Sequence, residues 1–130
     1  MGKDLNELAS YFLPQAQALL DACAAVGIPC RVVDTGRTAS EQVTKLEQQV
    51  SWTAYSKHEP QAPEGKSEAI DIVPLTILGE HKPNWDRTSP LWLRIGLIGE
   101  SLGMKWGGRW LLHPDYSHFE YVHPPKVETA

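Results

Sequence analysis

The chain has 130 residues, with 12 Lys and Arg against 16 Asp and Glu, so its formal net charge is −4. A chain this long suits a single domain spanning residues 1–130, and charged residues at 22% with hydrophobic ones at 42% exclude wholesale disorder. The acidic balance argues against a nucleic-acid partner, and no apolar run approaches the roughly 18 residues that a membrane span needs.

The first half of the chain predicts helices around one short strand. Apolar residues recur at helical spacing over residues 5–26, where Pro14 divides two helices or begins the second, and Gly27 ends it. The β-branched run at 28–34 predicts a strand. Thr38 and Glu41 have the spacing of a capping box, which predicts a helix through about residue 50.

The second half predicts short strands separated by irregular segments. Residues 51–66 show no periodicity and predict a long loop, followed by a strand at 69–73. Ser89 and Pro90 begin a helix that runs to about residue 102, and strands at 104–110 and 117–122 flank a turn at Pro114. These elements predict an α+β domain with a small antiparallel sheet flanked by helices.

Three polar side chains in these segments are candidates for chemistry. Asp71 lies among apolar strand neighbours, where a carboxylate is costly unless it is paired, bound to a metal or bonded to a loop. Alternation places His118 and Glu120 on one face of a strand, although a lone strand histidine is more often structural. Asp115 follows a proline and also suits an ordinary turn.

The five histidines divide into two groups. The first group consists of His58, which lies in the long loop and does not begin a His-Glu-x-x-His helix, and His118 in the last predicted strand. The other three histidines lie in loops and are interpreted as solvated: His81, His113 and His123. Two histidines and an aspartate, with an acid three residues before the last histidine, form the inventory of a catalytic zinc site. The two cysteines, Cys23 and Cys30, are too few for a disulfide framework or a cysteine-only zinc site.

Four ordered blocks give the chain a resemblance to a known family. They are Arg37-Thr38-Ala39-Ser40-Glu41-Gln42, Ser56-Lys57-His58, Ala69-Ile70-Asp71 and Asp115-Tyr116-Ser117-His118-Phe119-Glu120, with Trp106-Gly107-Gly108 before the last. The chain thereby resembles the zinc peptidases that cut peptidoglycan stem peptides, namely VanY-type D-alanyl-D-alanine carboxypeptidases and phage L-alanyl-D-glutamate endolysins. The resemblance covers roughly residues 16–122.

The resemblance implies a hedgehog/DD-peptidase-like fold with a zinc site on the sheet. Its zinc ligands would be His58, Asp71 and His118, and Asp115 would be the general base and acid. Arg37 would stabilise the oxyanion and, with Gln42 and Ser56, contact the substrate. Zinc lowers the pKa of bound water to about 7, and a guanidinium near the developing alkoxide supplies electrostatic stabilisation.

Two departures from the family pattern bear on substrate specificity more than on metal binding. Twelve residues, 59–70, separate His58 from Asp71 where the family usually has six, and Ser67 occupies the place of a glycine. The extra residues are assigned to the 59–66 loop, where they would reshape the cleft or form a flap. Gly36 also replaces a tyrosine often found before the arginine.

The resemblance leads to a monomeric zinc-dependent endolysin as the first hypothesis. It would cut the L-alanyl-D-glutamate bond of the peptidoglycan stem peptide. We expect it to be made in the host cytoplasm without a signal peptide and to reach the cell wall after release. The alternatives are a D-alanyl-D-alanine carboxypeptidase and a non-catalytic wall-binding or metal-stabilised module on the same fold. His and carboxylate ligands also suit divalent metals other than zinc.

Overall fold

A computed structural model of the chain describes residues 4–36, 65–75 and 82–124. These ranges contain two α-helices, four strands and two 3-10 turns. In chain order they are a 3-10 turn at Leu5–Glu7, α1 at Leu13–Ala25, β1 at Cys30–Asp34, β2 at Ala69–Pro74, α2 at Leu91–Ser101, β3 at Lys105–Trp106, a 3-10 turn at Gly107–Arg109 and β4 at His118–Glu120.

The four strands form one antiparallel sheet in the order β1-β2-β4-β3. The last of the described strands, β4, therefore lies between β2 and β3, with Asp71 of β2 opposite His118 of β4. Phe119 of β4 is opposite Ile70 on one side and Trp106 on the other. The predicted α+β class with a small antiparallel sheet is confirmed, and its central strand pair carries two of the predicted site residues.

The N-terminal segment is less helical than its apolar spacing predicts. Pro14 lies in the first turn of α1, and Gly27, with a φ of +82°, follows the end of this helix as predicted. Residues before the helix form only a 3-10 turn because their backbone pairs with another segment: Ser67 N–H donates to the Glu7 carbonyl (3.0 Å) and Ala9 N–H to the Ser67 carbonyl (2.8 Å). Long-range pairing here replaces local helix formation.

Helix α2 packs on the sheet through two glycines. A Cβ at Gly96 would lie 2.4 Å from the Trp106 ring, and a Cβ at Gly99 would lie 2.4 Å from the Phe119 ring. The absence of side chains thus lets β3 and β4 place their aromatic rings against the helix backbone. The same core includes buried apolar side chains of α1, β2 and α2, among them Phe12, Leu19, Ile70, Ile72 and Ile95.

The strands after α2 are shorter than predicted. Residues 104–110 are not one strand: β3 ends at Trp106 and the chain turns through Gly107–Arg109, because the Gly107 carbonyl accepts the N–H groups of Trp110 (3.1 Å) and Asp115 (2.9 Å). Similarly, β4 covers only three of the residues predicted at 117–122. The turn at Gly107 brings the following loop back toward β4.

The predicted helix at 38–50 and nearly all of the loop at 51–66 lie outside the described residues. In the described part of the chain, neither α-helix has the length and apolar character needed to cross a membrane. The assignment of residues 1–130 to one domain stays a prediction.

Candidate metal centre

The pairing of β2 with β4 brings Asp71 and His118 into contact. The two residues are opposite each other in the antiparallel register, and His118 Nδ1 lies 3.2 Å from Asp71 Oδ1. The side chain of His118 is 5% exposed and that of Asp71 is 13% exposed. The costly strand carboxylate recognised in the sequence is therefore paired with an imidazole rather than bonded only to a loop.

Asp115 joins this pair from the loop before β4. The Asp115 carbonyl accepts the His118 N–H (3.2 Å), and the Ser117 hydroxyl donates to Asp115 Oδ1 (3.0 Å). Ligand-type atoms of Asp71, Asp115 and His118 all lie within 4.8 Å of one another. The structure thus brings together three of the residues that the sequence analysis assigned to the site.

The position of Asp115 depends on a close backbone approach at Gly107. A Cβ at this position would lie 2.5 Å from the Asp115 carbonyl oxygen and 3.0 Å from the His118 Cβ. Since real Cβ contacts are longer than this, only glycine lets the loop carrying Asp115 approach the 3-10 turn as it does.

His118 has further neighbours on the other side of its ring. Its Nε2 lies 2.9 Å from Glu120 Oε1, and the Trp110 ring lies with its centroid 4.9 Å from the imidazole centroid. The alternation of β4 places His118 and Glu120 on one face, as predicted, while Phe119 packs into the core on the other. The sequence predicts no role for Glu120 or Trp110, although the His-x-Glu spacing is a signal for the contact between His118 and Glu120.

The carboxylates control the charge of His118. Burial lowers its pKa, but hydrogen bonds to Asp71 and Glu120 and the charges of Asp71 and Asp115 outweigh that effect and raise the pKa from 6.5 to about 10. Without a metal the imidazole is therefore cationic at neutral pH. A divalent cation at this position would replace the proton as the positive charge that the carboxylates face.

The donor set fits a divalent metal. One imidazole nitrogen and two carboxylates converge at a largely buried point, and these are ligand types that zinc and related cations accept. Catalytic zinc sites use three protein ligands, and the described residues offer three candidate groups, Asp71, Asp115 and His118. The remaining predicted ligand, His58, lies outside the described residues, as do Arg37, Gln42 and Ser56.

The histidines interpreted as solvated differ from one another. His113 is exposed, and His81 lies outside the described residues. His123 is half-exposed, but its Nε2 lies 2.8 Å from an oxygen of the fully buried Glu68, which also accepts the Tyr11 hydroxyl. The interpretation of His123 as simply solvated is therefore wrong, because a buried carboxylate requires a partner.

Comparison with known proteins agrees with this geometry. The sequence model of the D-alanyl-D-alanine carboxypeptidase family matches residues 52–121, more than half of the 130-residue chain, and this segment includes the candidate metal centre. No curated protein sequence matches the chain. Among solved structures, the crystal structure of the Serratia marcescens L-Ala D-Glu endopeptidase ChiX is similar with a TM-score of 0.65 and 21% identity, covering 91% of this chain and 83% of that protein. The structural likeness shows a shared fold, and the match over residues 52–121 shows that this chain belongs to the D-alanyl-D-alanine carboxypeptidase family of peptidases.

Proposed function

We propose that this chain is a zinc-dependent peptidase that hydrolyses stem peptides of bacterial peptidoglycan, with Asp71, His118 and His58 as metal ligands. The observation that carries the proposal is the convergence of Asp71, Asp115 and His118 within 4.8 Å across β2, β4 and the preceding loop. A site that only binds the wall has no need of a carboxylate next to the metal ligands, so the position of Asp115 favours catalysis.

The contact of Asp115 and the motif resemblance support the following roles. Zinc, when bound, would act as a Lewis acid that polarises the scissile carbonyl, and it would lower the pKa of the water it binds. Asp115, whose carboxylate is held by the Ser117 hydroxyl, accepts a proton from the attacking water and delivers it to the leaving amine. Arg37 stabilises the developing oxyanion and, together with Gln42 and Ser56, binds the substrate, as the motif resemblance implies.

We propose the L-alanyl-D-glutamate bond as the bond that is cut. The similar fold of the L-Ala D-Glu endopeptidase ChiX supports this choice, whereas the description of the matching family favours a D-alanyl-D-alanine carboxypeptidase as the second candidate. Mass spectrometry of the products from purified peptidoglycan distinguishes the two, because only the carboxypeptidase releases free D-alanine.

Replacement of Asp115 tests its catalytic role directly. Asp115→Asn keeps an oxygen that can accept the Ser117 hydroxyl but removes the basic carboxylate, so peptidoglycan cleavage should fall by about 10²–10⁴-fold. Zinc content, measured by atomic emission on the same preparation, should stay unchanged. Asp21→Asn on the exposed surface of α1 is the matched control and should retain full activity. Full activity in Asp115→Asn would refute the assigned role.

Replacement of His58 tests the ligand set. His58→Ala should lower the zinc content of the purified chain, and an unchanged content of one zinc per chain would show that the assigned ligand is wrong. A dye-release assay on outer-membrane-permeabilised cells then tests the endolysin role and the proposed action on the wall after release from the host. Absence of lysis with zinc present, together with no product from purified peptidoglycan, would favour the non-catalytic wall-binding module.

A further inference from the structure

Glu120 lies next to the candidate metal centre but has no role in the proposed reaction. Its side chain is 13% exposed, and its Oε1 lies 2.9 Å from Nε2 of His118, two residues earlier on the same face of β4. Among the described residues, the group whose ligand atoms converge to hold a metal consists of Asp71, Asp115 and His118, without Glu120. Among the described residues, Glu120 therefore contacts the imidazole of this group without belonging to the group itself.

The two ring nitrogens of His118 face two different carboxylates. Nε2 faces Glu120 (2.9 Å), and Nδ1 faces Asp71 (3.2 Å). A neutral imidazole carries one N–H, and a carboxylate accepts but does not donate. If the proton is on Nε2, it is donated to Glu120, and Nδ1 presents its lone pair on the side where Asp71, a member of the candidate metal group, lies.

Packing holds the imidazole in this orientation. The Trp110 ring lies against the imidazole at a centroid distance of 4.9 Å, and the His118 side chain is only 5% exposed. A 180° ring flip would exchange Nδ1 with Cδ2 and Nε2 with Cε1, so that a C–H instead of a ring nitrogen would face the metal position. A carboxylate partner on the second nitrogen favours one tautomer and increases the basicity of the ligand nitrogen.

We propose that Glu120 is a positioning residue: its carboxylate accepts the Nε2 proton of His118, which makes Nδ1 the metal-binding nitrogen and strengthens binding of the divalent cation. This inference rests on the proposed function, since it assigns His118 as a metal ligand. It predicts that loss of the Glu120 charge weakens metal binding without removing any ligand.

Zinc affinity provides the first test. Wild type, Glu120→Gln and Glu120→Ala are titrated with zinc alone in competition with a chromophoric chelator, and Glu100→Gln on α2, whose carboxylate pairs with Arg109, is the matched control. Both Glu120 variants should bind zinc about 10–100-fold more weakly, with Ala the weaker, while the control binds as wild type. Wild-type affinity in both Glu120 variants would overturn the inference.

The tautomer of His118 provides a second test that needs no variant. Long-range ¹H–¹⁵N spectra of the zinc-loaded wild type should show the His118 proton on Nε2 and the metal on Nδ1, and the opposite assignment would overturn the inference. A wild-type chain that binds no zinc refutes the proposed function and the inference with it. A chain that binds zinc through His118 Nε2 refutes the inference alone.

Discussion

The substitution Gly107→Ala tests whether the close approach at this residue positions the catalytic carboxylate. The added Cβ would lie 2.5 Å from the Asp115 carbonyl oxygen, where ordinary contacts begin at 3.4 Å, so the two groups must separate by about 0.9 Å. The Gly107 carbonyl also accepts the Asp115 N–H at 2.9 Å, so movement of the loop strains that bond as well.

Two effects of different size are expected from this displacement. Overpacking of a well-packed site costs about 1–3 kcal/mol of unfolding free energy. A catalytic group displaced by about 1 Å loses on the order of 100-fold in rate. Activity at a temperature where the variant is fully folded should therefore fall by on the order of 100-fold, much more than the change in stability alone would cause.

The assay compares cleavage of purified peptidoglycan with urea unfolding followed by circular dichroism. Gly27→Ala is the control: its φ of +82° costs an alanine about 1–2 kcal/mol, and it lies near the Cys30 end of β1, whereas Asp71 is opposite the Asp34 end. The control should lose stability and keep its activity. Wild-type activity in folded Gly107→Ala would refute the reasoning, because the Asp115 loop would then tolerate the displacement.

Three other perturbations test the charge of His118, the packing of α2 and a surface ion pair. Since the pKa of His118 is raised from 6.5 to about 10, the stabilisation linked to its protonation is complete below pH 6.5 and is lost as pH rises through about 10. The urea midpoint of the metal-free wild type should therefore fall more steeply toward pH 10 than that of His118→Gln, and equal slopes would contradict this. Gly96→Ala places a Cβ 2.4 Å from the Trp106 ring and should lower the unfolding free energy by about 1–3 kcal/mol, which an unchanged urea midpoint would disprove. Glu100→Gln removes the partly exposed ion pair with Arg109 but keeps the Arg109 guanidinium over the Trp106 ring, and it should leave the urea midpoint unchanged. A clear loss of stability would show that the pair matters more than its exposure indicates.

Local sequence signals predicted the elements that carry the metal centre. Alternation and β-branched residues identified β2, and the pattern around His118 put His118 and Glu120 on one face. These local signals could not predict that Asp71 lies directly opposite His118, because register between strands distant in sequence depends on the pairing of the whole sheet. The family resemblance predicts that Asp71 and His118 lie close together, since its motif blocks assign both residues to one metal site.

Other features could not be predicted because they depend on contacts between distant segments. Residues 104–110 have strand-like composition, but the Gly107 carbonyl binds two later N–H groups and closes a turn instead. Likewise, the apolar residues before Pro14 have helical spacing, yet the backbone near Glu7 pairs with Ser67. In both places, long-range backbone hydrogen bonds outweigh a weak local preference.

The two faces of α2 differ in how much variation they tolerate. Gly96 and Gly99 receive the rings of Trp106 and Phe119, so any larger residue there would push β3 and β4 away from the helix. Leu93 and Leu97 on the opposite face are each 50% exposed. Substitutions on that outer face would leave the aromatic contacts intact. Solubilising charges, fluorescent labels or immobilisation handles can therefore be introduced there without moving the strand that carries His118.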